Sequence, residues 1–561
     1  MDTRWRIPAW VAGWALVFAW GGAARAQEPI QFGGEGVTFW TRPAFANPDL
    51  SGDQDYPRVA IDGEGRILVV WNDDRYRHGE SPECYDCYGE VAGQVYDRAG
   101  FPIGRDFILN SRLPDPQWGP AIAVRPRGGF VVVWTDSGDG GEAGEAYAQM
   151  LSPDGAFEGE NFLVSVGCEW NHCEVWPCDF DPLNFDPVRG CNPIEVPYSL
   201  RVSHGGGDRW VATWFDGSGI WYQVFDGAEA RGMSREILGE LHLSVLNGDV
   251  AVGEGGDFKV AGVFLCSRVR LEGYEDYYCG DPPDVLHHGY SRTIFLFEFD
   301  AEGEFVRMRD LGERVSTDYG SAGPRMARDG RGRFVVVWWG SSDESSEERT
   351  SGIFARLFRW EDAEPLGPTF AVHAERWIPG VFTLCTNPEV AMDSAGNFVV
   401  VYAVNEARGA AQRFLADGTP YGHEFNVTDV PGYGSGGWEY HAQPRVAMND
   451  SGRVAIAWST AGPWDSVVRV YDFWAPDFIR GDVTGEGVVE LTDAMAIARY
   501  LFVEGSAPPV HPDAADTNDD GEQDIADVVY LLFHLYLGRP KRLPLPYPHW
   551  GFDTTEDSLG G

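Results

Sequence analysis

Short alternating and β-branched apolar runs, broken by glycine turns, fill the chain from about residue 55 to 475. The phrase "YPRVAIDGEGRILVVWND" from Tyr56 sets an apolar segment, a polar turn and a run of large apolar residues in succession. It recurs as "AGPRMARDGRGRFVVVWWG" from Ala322, "NPEVAMDSAGNFVVVYAV" from Asn387 and "QPRVAMNDSGRVAIAWST" from Gln443. Looser copies read "WGPAIAVRPRGGFVVVWTD", "YSLRVSHGGGDRWVATWFD" and "GDVAVGEGGDFKVAGVF". Aligning their aromatic ends gives Trp71, Trp134, Trp214, Phe264, Trp338, Tyr402 and Trp458, seven units at uneven spacing. Each copy predicts two strands around a tight turn, in which glycine supplies positive φ.

A second phrase follows in nearly every unit, as in "EVAGQVYDRAGFPIGRDFILN" and "GAAQRFLADGTPYGHEFNV". It predicts a third strand, another glycine turn and a fourth strand. Four antiparallel strands repeated seven times describe an all-β fold, a seven-bladed β-propeller, in which radial repetition protects the sheet edges. Separate β-sandwiches of about 100 residues each would need longer units. The last unit, ending "SVVRVYDFW", lacks an obvious fourth strand, and "GVTFWT" near Val37 is placed to complete it and close the ring.

In this arrangement the tight turns, such as Asp329-Gly330-Arg331-Gly332 and Asp417-Gly418, share one face of the disc. The opposite face collects every long insertion, including "NDDRYRHGESPECYDCYG" and "CSRVRLEGYEDYYCGDPPDVLHHGYS", and a ligand site is expected there. Eight of the nine cysteines cluster in those insertions: Cys84, Cys87, Cys168, Cys173, Cys178, Cys191, Cys266 and Cys279, with Cys385 left over. The start of the chain carries Arg4 and Arg6, an apolar run from Ile7 to Trp20 and the small-x-small pattern Ala24-Arg25-Ala26. This reads as a signal peptide cleaved after Ala26, hence a secreted or cell-surface protein without a membrane span in the mature chain, whose cysteines form disulfides. A zinc reading of "CEWNHCEVWPC" with His172 matches no known ligand spacing.

Composition adds exclusions. A formal charge of -43 argues against nucleic acid as a partner, because the field repels a polyanion. No G-x-S-x-G, H-E-x-x-H or phosphate loop is present. The turns also depart from the sialidase Asp-box, since Asp62 and Gly65, like Asp393 and Gly396, are two residues apart instead of one. Catalytic residues are therefore unknown. The His287-His288 doublet reads as a solvated loop, and Trp170, Trp176, Trp438 and Tyr440 as loop anchors or sugar-stacking surfaces.

After "WAPDFIR" strand spacing gives way to helical spacing. Residues 482–493, "DVTGEGVVELTD", and 516–527, "DTNDDGEQDIAD", both carry carboxylates at the first, fifth, ninth and twelfth positions and glycine at the sixth. A hard cation takes six to eight oxygens, and that glycine permits the turn that wraps them around it. Each loop precedes an amphipathic run, "AMAIARYLF" and "VVYLLFHLYLG", able to pack as two helices.

With Asp at the twelfth position and no entering helices, residues 480 to 540 resemble a dockerin, in particular the dockerin-like modules of planctomycete-type exported proteins. The propeller phrases likewise resemble repeats of bacterial exported and surface proteins. The resemblance implies two Ca2+ sites. The first would use Asp482, Thr484, Glu486, the carbonyl of Val488, Glu490 and Asp493; the second Asp516, Asn518, Asp520, the carbonyl of Glu522, Asp524 and Asp527. Thr484 and Glu486 depart from the pattern, so the 516–527 site is expected to be the stronger. It also implies a cohesin-like or cell-surface partner.

The expected division is a signal peptide over 1–26, the propeller over 31–478, the module over 479–540 and a tail over 541–561 with no assigned role. The preferred reading is a non-catalytic propeller that binds a glycan or protein through its long-loop face. The alternatives are a polysaccharide-degrading enzyme, a glycoside hydrolase or lyase, and a structural surface protein.

Overall fold

The computed structural model describes residues 30–32, 36–40 and, from 54 to 550, all except 75–88, 99, 112–116, 137–143, 166–197, 216–218, 238–244, 266–291, 316–322, 342–349, 377–384, 405–407, 428–442, 460–465, 475–476, 541, 545 and 549. The expected signal peptide, the eight clustered cysteines, the His287-His288 doublet, the four loop aromatics and the longest insertions lie outside these residues. Cys385 opens a strand. Among the described residues no helix is long and apolar enough to cross a membrane.

The strands form seven sheets. Two N-terminal strands, β1 (Ile30–Phe32) and β2 (Gly36–Trp40), precede the first blade, made of β3 (Gln54–Ile61), β4 (Ile67–Asp73), β5 (Glu90–Tyr96) and β6 (Pro102–Ile108). The second blade is β7 (Gln117–Val124), β8 (Phe130–Asp136), β9 (Glu145–Leu151) and β10 (Phe157–Leu163). The third is β11 (Tyr198–His204), β12 (Arg209–Phe215), β13 (Ile220–Asp226) and an outer strand split into β14 (Glu229–Ala230) and β15 (Arg235–Glu236). The fourth is β16 (Val245–Val252), β17 (Phe258–Leu265), β18 (Arg292–Phe299) and β19 (Phe305–Val315); the fifth β20 (Arg325–Arg328), β21 (Arg333–Ser341), β22 (Thr350–Arg359) and β23 (Phe370–Arg376). The sixth is β24 (Cys385–Met392), β25 (Phe398–Val404), β26 (Arg408–Phe414) and β27 (Pro420–Asn426), and the seventh β28 (Arg445–Met448), β29 (Arg453–Ser459) and β30 (Ser466–Asp472).

The ring closes as expected. Strand β2 supplies the fourth position of the last blade, pairing Val37 with Val470 and Trp40 with Val467, and β1 adds a fifth strand outside it. At the seam Asn449 Nδ2 donates to the carbonyl of Asp62 (3.0 Å) and Ser466 Oγ to that of Gln54 (3.1 Å), so first and last blades are joined. Closure leaves no innermost strand without a neighbour on either side.

Two sequence signatures receive their physical reason here. The D-x-x-G turns are four-residue loops in which Asp62 Oδ1 accepts the N–H groups of Glu64 (3.0 Å) and Arg66 (2.8 Å), while Gly65 takes φ 82°. Asp329 and Asn449 repeat the same side-chain bonds in later blades. The glutamine within the third strands of four blades lies buried opposite a bulge or break in the fourth. Gln412 Nε2 donates to the carbonyls of Arg413 (2.9 Å) and Gly422 (3.4 Å) where the β26–β27 register shifts, and Gln94, Gln149 and Gln223 do likewise. Core packing runs between blades: of the seven aligned aromatics, Trp71, Trp134, Trp214, Trp338, Tyr402 and Trp458 are buried, and the Phe264 side chain lies outside the described set. Truncating any of these buried Trp residues is a change of about 3–5 kcal/mol.

Candidate functional site

The C-terminal module has helices α1 (Leu491–Phe502), the single turn α2 (Pro512–Ala515) and α3 (Ile525–Leu537). α1 and α3 pack around Val483, Ala494, Ile497, Val528 and Leu531. Leu543 belongs to the same core and the carbonyl of Pro546 accepts the N–H of Arg480 (2.8 Å), so part of the expected tail completes the module. Further along, Trp550 stacks on His423 of β27 at 3.6 Å, and Asp477 accepts from Arg413 Nη2 (3.1 Å), tying the module's flanks to the sixth blade.

The two loops have the same internal wiring. At the first position, Asp482 Oδ1 accepts the N–H of Gly485 (2.9 Å) and Oδ2 that of Gly487 (2.6 Å); Asp516 Oδ2 accepts from Gly521 (2.8 Å). At the twelfth, Asp493 accepts from Thr484 N (3.0 Å) and Glu490 N (2.8 Å), and Asp527 from Thr517 N (2.8 Å) and Asp524 N (2.9 Å). These four carboxylates are buried, whereas Thr484, Glu486, Val488, Glu490, Asp520, Glu522 and Asp524 are exposed and Asn518 is half-buried. Among the described residues no three His, Cys, Asp or Glu side chains converge on a metal-holding point.

The donor set nevertheless fits a hard cation. Burial raises the Asp516 carboxyl, and burial together with the charge of Asp516 pushes Asp527 up to about 6. Two buried carboxylates that oppose each other's ionisation are what a divalent cation relieves. Arg480 does not substitute for it: its guanidinium donates to the carbonyls of Asp513 (3.2 Å) and Asp516 (2.5 Å) and pairs with Asp519 (2.7 Å). In the first loop the Thr484 hydroxyl donates towards Asp493 Oδ1 (3.0 Å) and lies 3.2 Å from Glu486 Oε1, occupying oxygens that a cation needs.

Beside the loops the helices expose apolar side chains in matched positions. On α1 they are Leu491, Met495 (61% exposed) and Phe502 (68%); on α3, 34 residues later in each case, Ile525, Val529 and Tyr536 (63%), with Phe533 answering Arg499. The i, i+4, i+11 spacing puts each set on one stripe.

The propeller axis holds a group of residues that the repeat reading did not single out. The residue before the V-A pair of each innermost strand is Arg58, Ala121, Arg201, Asp249, Arg325, Glu389 or Arg445. Glu389 Oε1 is 3.1 Å from Arg325 Nε, 3.0 Å from Arg445 Nη1 and 3.5 Å from Arg201 Nη2, which reaches it from three blades away. Burial raises the Glu389 carboxyl, but Arg325, Arg445, Arg201 and Arg58 together hold it far below the usual range. Asp249 is raised by burial, although Arg201 and Arg325 oppose this. The signal was available in the aligned phrases: one column alternates between charges where its neighbours stay apolar.

Residues 480–535 match the family described as the dockerin type I domain. No curated protein matches the chain. Among solved structures, the chain is similar to an alpha-L-arabinanase of Penicillium chrysogenum complexed with arabinobiose, at 11% identity over 75% of this chain and 94% of that one, TM-score 0.37. It is similar to an alpha-L-arabinofuranosidase of Fusarium graminearum complexed with arabinobiose, at 9% identity over 78% and 98%, TM-score 0.39. A protein of unknown function from Dyadobacter fermentans gives 11% identity over 78% and 99%, TM-score 0.38.

Proposed function

We propose that this is an exported protein, with a leader over 1–26, whose dockerin-like module docks it in a calcium-dependent manner to a cohesin-like or cell-surface partner. The propeller is a non-catalytic recognition domain that takes a glycan or protein ligand on its long-loop face. The paired apolar stripes of α1 and α3 carry the docking reading, because exposed large side chains at matching places on two helices form a surface suited to a partner. Dockerin type I domains bind calcium, and the loops sit at the start of both helices, so a cation at 482–493 and 516–527 would fix the stripes' relative position. The 516–527 loop is the stronger site, since no hydroxyl substitution weakens it.

The test is capture of a panel of type I cohesins by the full chain. Binding in calcium, lost in EDTA and lost in the double variant Met495→Asp, Val529→Asp, supports the proposal; binding unaffected by EDTA or by the double variant overturns it.

A second reading, a polysaccharide-degrading enzyme, draws on Asp249 and Glu389, axial carboxyls shifted in opposite directions. Against it, both Asp249 oxygens accept backbone N–H groups, from Val250 (3.0 Å) and Met326 (2.8 Å), and Glu389 is held by arginines. Reducing-sugar release from a glycan panel, abolished by Asp249→Asn, would establish the enzyme.

A further inference from the structure

We infer that the centre of the propeller binds a single oxyanion, a carboxylate or sulfate group, between Arg58, Arg201 and Arg445 beside Ala121. The inference stands apart from the docking reading and needs neither calcium nor a cohesin.

Charge allocation is the first ground. Four guanidiniums meet two carboxylates at the axis, an excess of positive charge inside a chain whose net charge is -43. Glu389 is taken by Arg325, Arg445 and Arg201, and Asp249 gives its oxygens to backbone amides with Arg201 Nε at 3.8 Å. Among the described residues Arg58 donates only to the carbonyl of Pro57, at 3.3 Å. Among the described residues the Nε–H groups of Arg201 and Arg445 are buried with no hydrogen-bond acceptor; Arg445, whose Nη2 donates to Gln443 Oε1 (2.9 Å), is 7% exposed as a whole. Burial and the neighbouring arginines push Arg58 well below the ordinary arginine range, and push Arg201 down to about 10. Crowding guanidiniums around the half-buried Arg58 costs free energy, which a bound anion offsets.

Shape is the second ground. Six of the seven ring positions carry long or charged side chains; the second blade supplies the small Ala121, in blade order between Arg58 and Arg201. Backbone strain is the third. Two residues before the ring position, Tyr56, Ser199 and Asn387 take φ of 50°, 55° and 53°, and Gly119 takes 65°, each at a register shift at the start of its innermost strand. Such bulges re-aim side chains, and non-glycine strain of about 1–3 kcal/mol per residue collects at binding sites. Guanidiniums favour carboxylate and sulfate because two parallel N–H groups meet two oxygens.

The experiment is calorimetric titration of the full-length protein with sulfate, glucuronate and glucose at fixed ionic strength, alongside its Arg58→Gln and Ala121→Glu variants. The wild type gives heat with sulfate or glucuronate and none with glucose. Arg58→Gln, which orphans no carboxylate, binds about tenfold more weakly or worse. Ala121→Glu supplies the anion internally, so its melting temperature without ligand matches or exceeds that of the wild type, and its response to anions disappears. Response to glucuronate alone assigns the site to a sugar carboxylate, and equal response to sulfate assigns it to any small oxyanion. No heat with either anion, equal heat with glucose, or unchanged affinity in Arg58→Gln overturns the inference.

Discussion

The propeller axis and the two C-terminal loops bury charge of opposite sign by different means. At the axis, arginines projected from the innermost strands surround Glu389, and the surplus is positive. In the loops, Asp482, Asp493, Asp516 and Asp527 are wrapped in backbone N–H groups, and the surplus is negative. A rigid sheet can hold like charges together because its strands cannot move apart. A short loop lacks such a frame, so an ion that neutralised it would also order it. Removing one carboxylate should therefore act through packing and charge at the axis, and through the ion in the loops.

The strongest way to break this contrast is the same carboxylate-to-amide change at both places. Glu389→Gln leaves three close arginines facing a neutral group and should destabilise the propeller by about 3–5 kcal/mol, read as a lowered denaturant midpoint whether or not calcium is present. Asp527→Asn should cost about 2–4 kcal/mol in saturating calcium and much less in EDTA, where the lost charge also relieves Asp516. Equal losses with and without calcium would show the second loop to be a purely structural cap.

The pH dependence sharpens the axial side. Because the folded-state carboxyl of Glu389 is depressed, its contribution is fully present above the unfolded glutamate range and is lost as pH falls towards the folded value. The stability gap between wild type and Glu389→Gln should stay level from neutral pH to about 5, then narrow below about 4. A gap that narrows above neutrality would contradict the ring electrostatics. Smaller effects test the frame. Gln412→Ala uncovers the carbonyls of the β27 bulge and should cost about 1 kcal/mol. Trp550→Ala removes the stack on His423 and should cost less than about 1 kcal/mol, seen as faster protease cleavage between propeller and module.

Most of the propeller was legible because its signals are local: D-x-x-G turns and β-branched second strands recur in register. The closing role of "GVTFWT" followed from a missing strand in the last unit, and β2 pairs with β30 accordingly. The split outer strand of the third blade was not legible, since two-residue pieces carry no periodicity. Leu543 and Trp550 read as tail because their partners, the module core and His423, lie far off in sequence or in a surface strand. The two twelve-residue loops showed in their spacing, but the division between buried first and twelfth positions and exposed middle ones needed coordinates. Arg58, Arg201, Arg325, Glu389 and Arg445 escaped because charges at the start of a strand ordinarily read as solvent-facing; only closure of the ring brings them together.

The most direct test of calcium-dependent docking is titration of the full chain with calcium by calorimetry. A tighter site abolished by Asp516→Ala and a weaker one abolished by Asp482→Ala are expected. Absence of heat, or heat unchanged in both variants, would contradict it.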